Sequence, residues 1–323
     1  MGAQLRVYRR RIRTVQSTKK ITKAMELIAA SRIAKAQARR NAARPYAEAL
    51  SQALAEIGGD PTLQHPMLTG VENPSRAGIL IITSDRGLAG GYNANVIKAA
   101  NTLAERLSGE GKDVDRYIIG RKGVAYYRFR NIKLAGAWTG FSEQPNFIDA
   151  RGATEAVVAA LTVTSEGQVD GEDGESKPGI DELWVVYTKF VNSVSQVPTT
   201  VRVSPVKGAG DGADGSDDDG KNEDGDDGVS AGQYEFEPEP ARLIAALLPR
   251  YISSRIFSAL LESAASESAA RRRAMKSASD NATDLIKTYT RLANQARQAE
   301  ITQELSEIVG GADALAAAGN DEG

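Results

Sequence analysis

From Arg250 to Val309 the chain runs sixty residues without a glycine or a proline. At about 1.5 Å per residue, a continuous helix there is roughly 90 Å long, several times the diameter of a small domain. Phe257, Leu260, Ala264, Arg271, Ala274, Ala278, Leu285, Leu292 and Ala299 fall on 3/4 spacing. That pattern is a narrow seam, not a broad buried face. Ala264, Ser268, Ala274 and Ala278 keep the seam thin enough for a second helix to come close. Length and polarity together argue against a core helix and for a partner helix.

The partner lies at the other end of the chain. Ala3 to Arg44 also lacks Gly and Pro, which gives roughly 60 Å of helix. Leu5, Tyr8, Ile12 and Val15 hold a 3/4 repeat, and Ile21, Ala24 and Ile28 resume it after a longer step that predicts locally altered winding. Two long helices at opposite termini, with a different domain between them, predict an antiparallel coiled coil. The first helix is expected to run on past Pro45 with a kink or break there, and Pro249 predicts a kink, because proline removes an amide donor and clashes with the preceding turn.

Charge is uneven along the chain. Residues 1–44 carry thirteen Lys/Arg against the single acid Glu26, and residues 207–232 carry nine Asp/Glu against two Lys. With no cysteine and one histidine, His65, the chain offers neither disulfides nor thiol or His-rich metal sites. No continuous apolar run approaches the roughly 18 residues that span a bilayer, and no apolar signal core follows the basic N-terminus.

Between the helices the pattern changes. AGILIIT at 77–83 is a continuous apolar run, which predicts a strand covered on both faces. Strands at 115–119, 133–138 and 182–190 alternate with helices at 93–108, 124–129 and 147–161, and 197–206 follows its predecessor with no helix between, so it pairs antiparallel. The fold class is therefore α/β: a long antiparallel coiled coil of N- and C-terminal helices with a central Rossmann-like α/β domain. Two Gly/acid-rich stretches, 165–179 and 207–232, are too apolar-poor to offset their ordering entropy and are expected to be mobile. The expected division is an N-terminal coiled-coil helix over 1–60, the α/β domain over 76–206 with its acidic insert at 165–179, and a disordered acidic loop at 207–232. A C-terminal coiled-coil helix over 233–310 and a flexible tail over 311–323 complete it.

Chemistry is hard to find. SDRGLAGG at 84–91, between a strand and a helix, stands where a doubly wound sheet binds phosphate. Its glycines lack the G-x-G-x-x-G spacing, and no G-x-x-x-x-G-K-[ST] occurs, so a tight strand-to-helix turn is the simpler reading. Asp85 and Arg86 then form a local ion pair or meet a partner. The loop at 207–232 lacks the calcium-loop pattern. No catalytic residue, cofactor site or metal site is expected. The basic N-terminal helix lacks aromatic interleaving, which argues against nucleic acid.

Four stretches carry a resemblance: IRTVQSTKKITKAMELIAASRIAKAQ at 12–37, TSDRGLAGGYN at 83–93, AMKSASDNA at 274–282 and ARQAEITQELSEIVGGA at 296–312. With them the chain resembles the gamma subunit of the F-type, proton-translocating ATP synthase, bacterial type. That resemblance implies a central rotor shaft, one copy per complex. The paired helices would enter a hexamer of alternating alpha and beta subunits, and the α/β domain, with the epsilon subunit, would sit on the c-ring of the membrane sector. The shaft would couple proton-driven rotation to the beta catalytic sites while itself being non-catalytic. It would lie at the cytoplasmic face of the plasma membrane as a peripheral protein.

The same resemblance implies site residues. Met25, Arg271, Arg297, Gln298, Thr302 and Glu304 match positions that touch beta, and Tyr234, Phe236 and Glu237 match a segment that meets the c-ring. Ala89 stands where many members carry Cys, the two acidic stretches exceed the usual lengths, and no dithiol segment is present. The alternatives are a coiled-coil scaffold of another complex and a nucleotide-binding enzyme built on the α/β domain.

Overall fold

The computed structural model describes residues 2–58, 65–170, 176–206 and 239–320. A helix α1 (Gly2–Gly58) opens the chain, and a helix α6 (Pro240–Asn320) closes it. Between them lie α2 (Pro66–Thr69), β1 (Arg76–Ile82), α3 (Tyr92–Gly109), β2 (Asp113–Ile119), α4 (Arg121–Phe129) and β3 (Gly136–Trp138). Then follow α5 (Phe147–Val163), β4 (Gln168–Asp170), β5 (Ser176–Pro178), β6 (Glu182–Phe190) and β7 (Gln196–Ser204). The chain forms two compact units, residues 1–28 with 272–323, and residues 29–271.

In the larger unit a five-stranded sheet runs in the order β3-β2-β1-β6-β7. All neighbours are parallel except β6 and β7, which pair antiparallel, Val186 opposite Thr200. The apolar run of β1 is explained by its two faces. Leu80 and Ile82 join Tyr117, Ile119 and Val185 on one side, against Ala153 and Val157 of α5 and Ile244, Leu248, Ile252 and Ile256 of α6. Ile79 and Ile81 join Ile118, Trp184 and Val186 on the other, against Val96, Leu103 and Leu107 of α3 and Val124 and Tyr127 of α4. Alternate residues of one strand thus feed two cores.

Several expectations need correction. The first five turns of α6 are a core helix after all: Ile244, Leu248, Ile252, Ile256 and Leu260, spaced four apart, are at most 1% exposed. An eighteen-residue window within Ala241–Gly310 is also apolar enough to cross a membrane by length and composition. Its isoleucines and leucines are spent on the sheet. As expected, α1 runs on past Pro45, and α6 runs on past Pro249. Helix α6 continues through Gly310 and Gly311 to Asn320, beyond the expected end at 310. Part of the stretch 165–179 is ordered as a two-stranded antiparallel hairpin, Val169 opposite Lys177. Asp181 holds its base by accepting the backbone N–H groups of Ser75, Arg76 and Ser165 at 2.8, 3.0 and 2.9 Å. His65 caps α2, its Nδ1 accepting the Met67 N–H at 3.2 Å. The acidic stretch 207–232 and the residues Tyr234, Phe236 and Glu237 lie outside the described residues.

Helix pairing is antiparallel within each unit. In the smaller one the Tyr8 and Tyr289 rings meet tilted at 31°, 6.4 Å between centroids, Arg11 lies 5.6 Å over the Tyr289 ring, and the hydroxyls of Thr22 and Ser279 share a hydrogen bond of 2.6 Å. In the larger one Ile33 and Ala36 pack on Ala265 and Ala269, and Arg40 meets Glu262 at 3.4 Å.

Candidate functional site

In an open parallel sheet, ligands bind beyond the carboxyl ends of the strands where the strand order reverses. Here that crevice lies between β1 and β6 and is framed by residues 83–91. Leu88 and Gly90 take φ of 66° and 57°, which turns the loop back into α3. Its donors are used locally. The Asn93 Oδ1 accepts the Ser84 N–H at 2.9 Å, and the Ser84 hydroxyl donates to the Arg86 carbonyl at 2.7 Å. Asp85 accepts the Arg121 and Ser142 N–H groups at 3.1 and 2.9 Å, and its own N–H donates to the Ser142 hydroxyl at 2.8 Å. The acid expected to pair with Arg86 or a partner instead staples three segments together.

The crevice is filled by α6 of the same chain. Ser263 shares a 2.6 Å hydrogen bond with the Tyr92 hydroxyl, and the Ser266 hydroxyl donates to the Thr188 carbonyl at 2.9 Å. Arg271 reaches the loop itself, with Nε and Nη2 each 3.3 Å from the Gly87 carbonyl and Nη2 3.4 Å from that of Arg86. A helix with serines at 263 and 266 thus occupies the place of a phosphate ligand. Among the described residues no group of three His, Asp or Glu could hold a metal.

Around Arg271 lies a buried ionic cluster. Its Nη2 donates to Glu267 Oε1 at 2.7 Å, one turn earlier on α6, and its Nη1 is 3.2 Å from Glu143 Oε1. The other oxygen of Glu143 takes Arg32 of α1 and lies 3.6 Å from Arg86 Nη1. The side chains of Arg271 and Glu267 are 6% and 1% exposed, and that of Glu143 is 12% exposed. Burial pushes the Glu267 carboxyl up to about 7, with the like charge of Glu143 adding to it and Arg271 opposing both. Burial also raises the Tyr92 phenol, helped by Glu267. Glu267 Oε2 has no hydrogen-bond partner among the described residues.

The expected site residues fall into two settings. Arg271 is buried, and Glu143 and Glu267 of this chain supply acids to its guanidinium. Met25 is half-buried on α1. Arg297, Gln298, Thr302 and Glu304 are all exposed on α6, alongside Ile301, Leu305, Ile308 and Val309 at 47–68% exposure. Sequence reasoning missed Glu267, Glu143 and Arg32. Glu267 was accessible, because an acid four residues before a seam arginine is a helix pair. Glu143 was not, because nothing local links a loop after β3 to either long helix.

Long helices from both ends of the chain, paired antiparallel within each unit, and an α/β domain whose ligand crevice is closed by one of them define the class of protein. A family model described as ATP synthase matches residues 4–315. The ATP synthase gamma chain of Acidothermus cellulolyticus is 52% identical over 323 residues, which covers 99% of this chain and 100% of that one. The gamma chain of Streptomyces griseus is 53% identical over 325 residues, covering 100% of both. In fold, a chain of the Euglena gracilis mitochondrial ATP synthase (OSCP/F1/c-ring) matches with a TM-score of 0.64 at 17% identity, over 98% of this chain and 95% of that one. The chain belongs to the ATP synthase gamma-chain family. Its role is the rotor shaft of that synthase.

Proposed function

We propose that this shaft couples rotation of a membrane-embedded c-ring to conformational cycling of the beta-subunit sites in an alpha–beta hexamer, with the epsilon subunit at its base. It is one copy per complex and carries no catalytic residue of its own. It sits at the cytoplasmic face of the plasma membrane, held there as a peripheral subunit. Full-length identity above half with gamma chains, spanning both helices and the α/β domain, is the observation that carries this reading. We assign the contact with beta to Met25 and to the exposed set Arg297, Gln298, Thr302 and Glu304. Arg271 would reach a beta carboxylate only by exchanging Glu143 for it. Tyr234, Phe236 and Glu237 are assigned to the c-ring. Purification from membranes through a tag on this chain tests the reading. Alpha, beta, epsilon and c subunits are expected with it, and the chain alone is expected to turn over no ATP. Recovery without alpha and beta would support a scaffold of another complex.

A further inference from the structure

Within the larger unit the two long helices are held to the α/β domain very differently. Helix α6 lies in the sheet's core through Ile244, Leu248, Ile252 and Ile256. Helix α1 enters that core only near its end, through Leu54 and Ile57. A helix gripped at one end pivots about the grip, and Arg32 is about 33 Å from Leu54 along the axis. At that far level an apolar contact links Ile33 and Ala36 with Phe190, the last residue of β6. Such packing resists separation but sets no direction.

Glu143 adds an ionic contact there. Glu143, Gln144 and Pro145 share a narrow crevice with Arg32, Lys35, Ala36 and Arg39 of α1 and with Leu261 and Ala264 of α6. One oxygen of Glu143 faces Arg271 of α6 at 3.2 Å, and the other takes Arg32 of α1. Its backbone is tied to the sheet one residue away, where Ser142 and Asp85 exchange hydrogen bonds of 2.9 and 2.8 Å. Arg271 is aimed by Glu267 at 2.7 Å and by the Gly87 carbonyl at 3.3 Å. Glu143 thus lies between two guanidinium groups on different helices, hydrogen-bonded to Arg32 and held to Arg271 by charge at ion-pair distance, since Arg271 Nη1 makes no hydrogen bond among the described residues.

We propose that Glu143 is a positioning residue of the rotor, a carboxylate that keys both long helices to the α/β domain so that torque on the domain turns the helices without slack. The inference rests on the rotor reading. It acts through Arg32 and Arg271, and it needs no contact with another subunit.

The test is made on the assembled synthase in membrane vesicles, reading protons pumped per ATP hydrolysed. Glu143→Gln keeps shape and removes charge, and it is expected to lower that ratio, with proton pumping lost while ATP hydrolysis continues. Arg32→Gln is expected to lower it to the same extent, and the double variant no further, because both changes open one joint. Glu143→Asp is expected to recover part of the ratio. A wild-type ratio in Glu143→Gln overturns the proposal, as do additive losses in the double variant. Failure of the Glu143→Gln subunit to assemble overturns it too, by making Glu143 a folding residue. Failure of the unaltered chain to purify with alpha and beta would instead count against the rotor reading.

Discussion

Replacing Glu267 by glutamine isolates the one buried acid whose proton affinity the fold moves furthest into the neutral range. Its carboxyl rises from an ordinary 4.5 to about 7, chiefly because it is buried. At about 1.4 kcal/mol per pKa unit, that shift corresponds to about 3 kcal/mol. The sign follows from which state holds the proton more tightly. Below about pH 4 both folded and unfolded chains carry it, and the shift costs nothing. As pH rises from there towards 7, the unfolded chain ionises while the folded chain keeps its proton, so stability falls. Above 7 the full cost is present. Glutamine has no proton to lose and keeps the shape beside Arg271, whose remaining acid is Glu143. Stability of Glu267→Gln should therefore match the parent near pH 4 and exceed it by about 3 kcal/mol above neutrality. Urea unfolding of both purified chains, followed by fluorescence of the buried Trp184, measures the difference at a series of pH values. Carboxylates remote from this cluster are common to the two chains and cancel, so Glu143 alone, whose charge acts on Glu267, adds a smaller contribution to the difference. A difference that stays flat with pH, or a parent more stable than the variant at high pH, would refute the reasoning. The second outcome would mean that attraction to Arg271 outweighs burial.

Arg271→Ala should be costlier than a surface charge deletion, about 3 to 5 kcal/mol, because it strands Glu267 and Glu143 in a buried site; Arg271→Lys should recover only part of it, and the urea midpoint reads both. Gly120→Ala should destabilise by about 1 to 3 kcal/mol, since φ is +102° and a Cβ there would collide with the Thr83 carbonyl; an unchanged midpoint would count against this turn geometry. The Gln298→Leu/Thr302→Val double variant should lower steady-state ATP turnover of the assembled complex with subunit stoichiometry intact. Normal turnover would remove this pair from the proposed beta contact.

Legibility followed the range over which each feature is encoded. The strand at 182–190 was visible to the residue because ELWVVYTKF is an apolar run bounded by turn residues. The antiparallel placement of β7 followed from the five residues between it and β6, too few for a crossover. That α1 runs on past Pro45 was legible from the helical composition on both sides of it, and packing by Leu50, Leu54 and Leu248 near the two prolines offsets the hydrogen bond each ring costs. The Gly310-Gly311 pair misled, because α6 runs through it to Asn320. Helix α6 as a core element was hidden by composition. Its 3/4 seam and the sheet-facing row Ile244, Leu248, Ile252, Ile256 overlap in sequence, and only the sheet's position shows that α6 buries two different faces along its length. The Glu143 joint was illegible for a simpler reason. It is assembled from a loop, α1 and α6, and no local pattern announces such a meeting.

The ionic joint also answers a problem that the seam creates. Ala264, Ala265, Ala269 and Ser268 are at most 2% exposed, so the helices come close there over small side chains. A surface of methyl groups and hydroxyls offers no large knobs, and sliding one helix along the other by a turn changes its buried apolar area little. Apolar burial alone therefore selects a register weakly. Directional contacts select it strongly, because a displaced partner leaves a polar group buried and unmatched. The chain has such contacts in both units: Thr22 with Ser279 at 2.6 Å in one, and Arg40 with Glu262 and Glu143 with both Arg32 and Arg271 in the other. Ionic groups buried in this way add little net stability compared with a well-packed apolar cluster. What they supply is one register in preference to its neighbours, and a shaft that transmits torque needs its two helices fixed in one register.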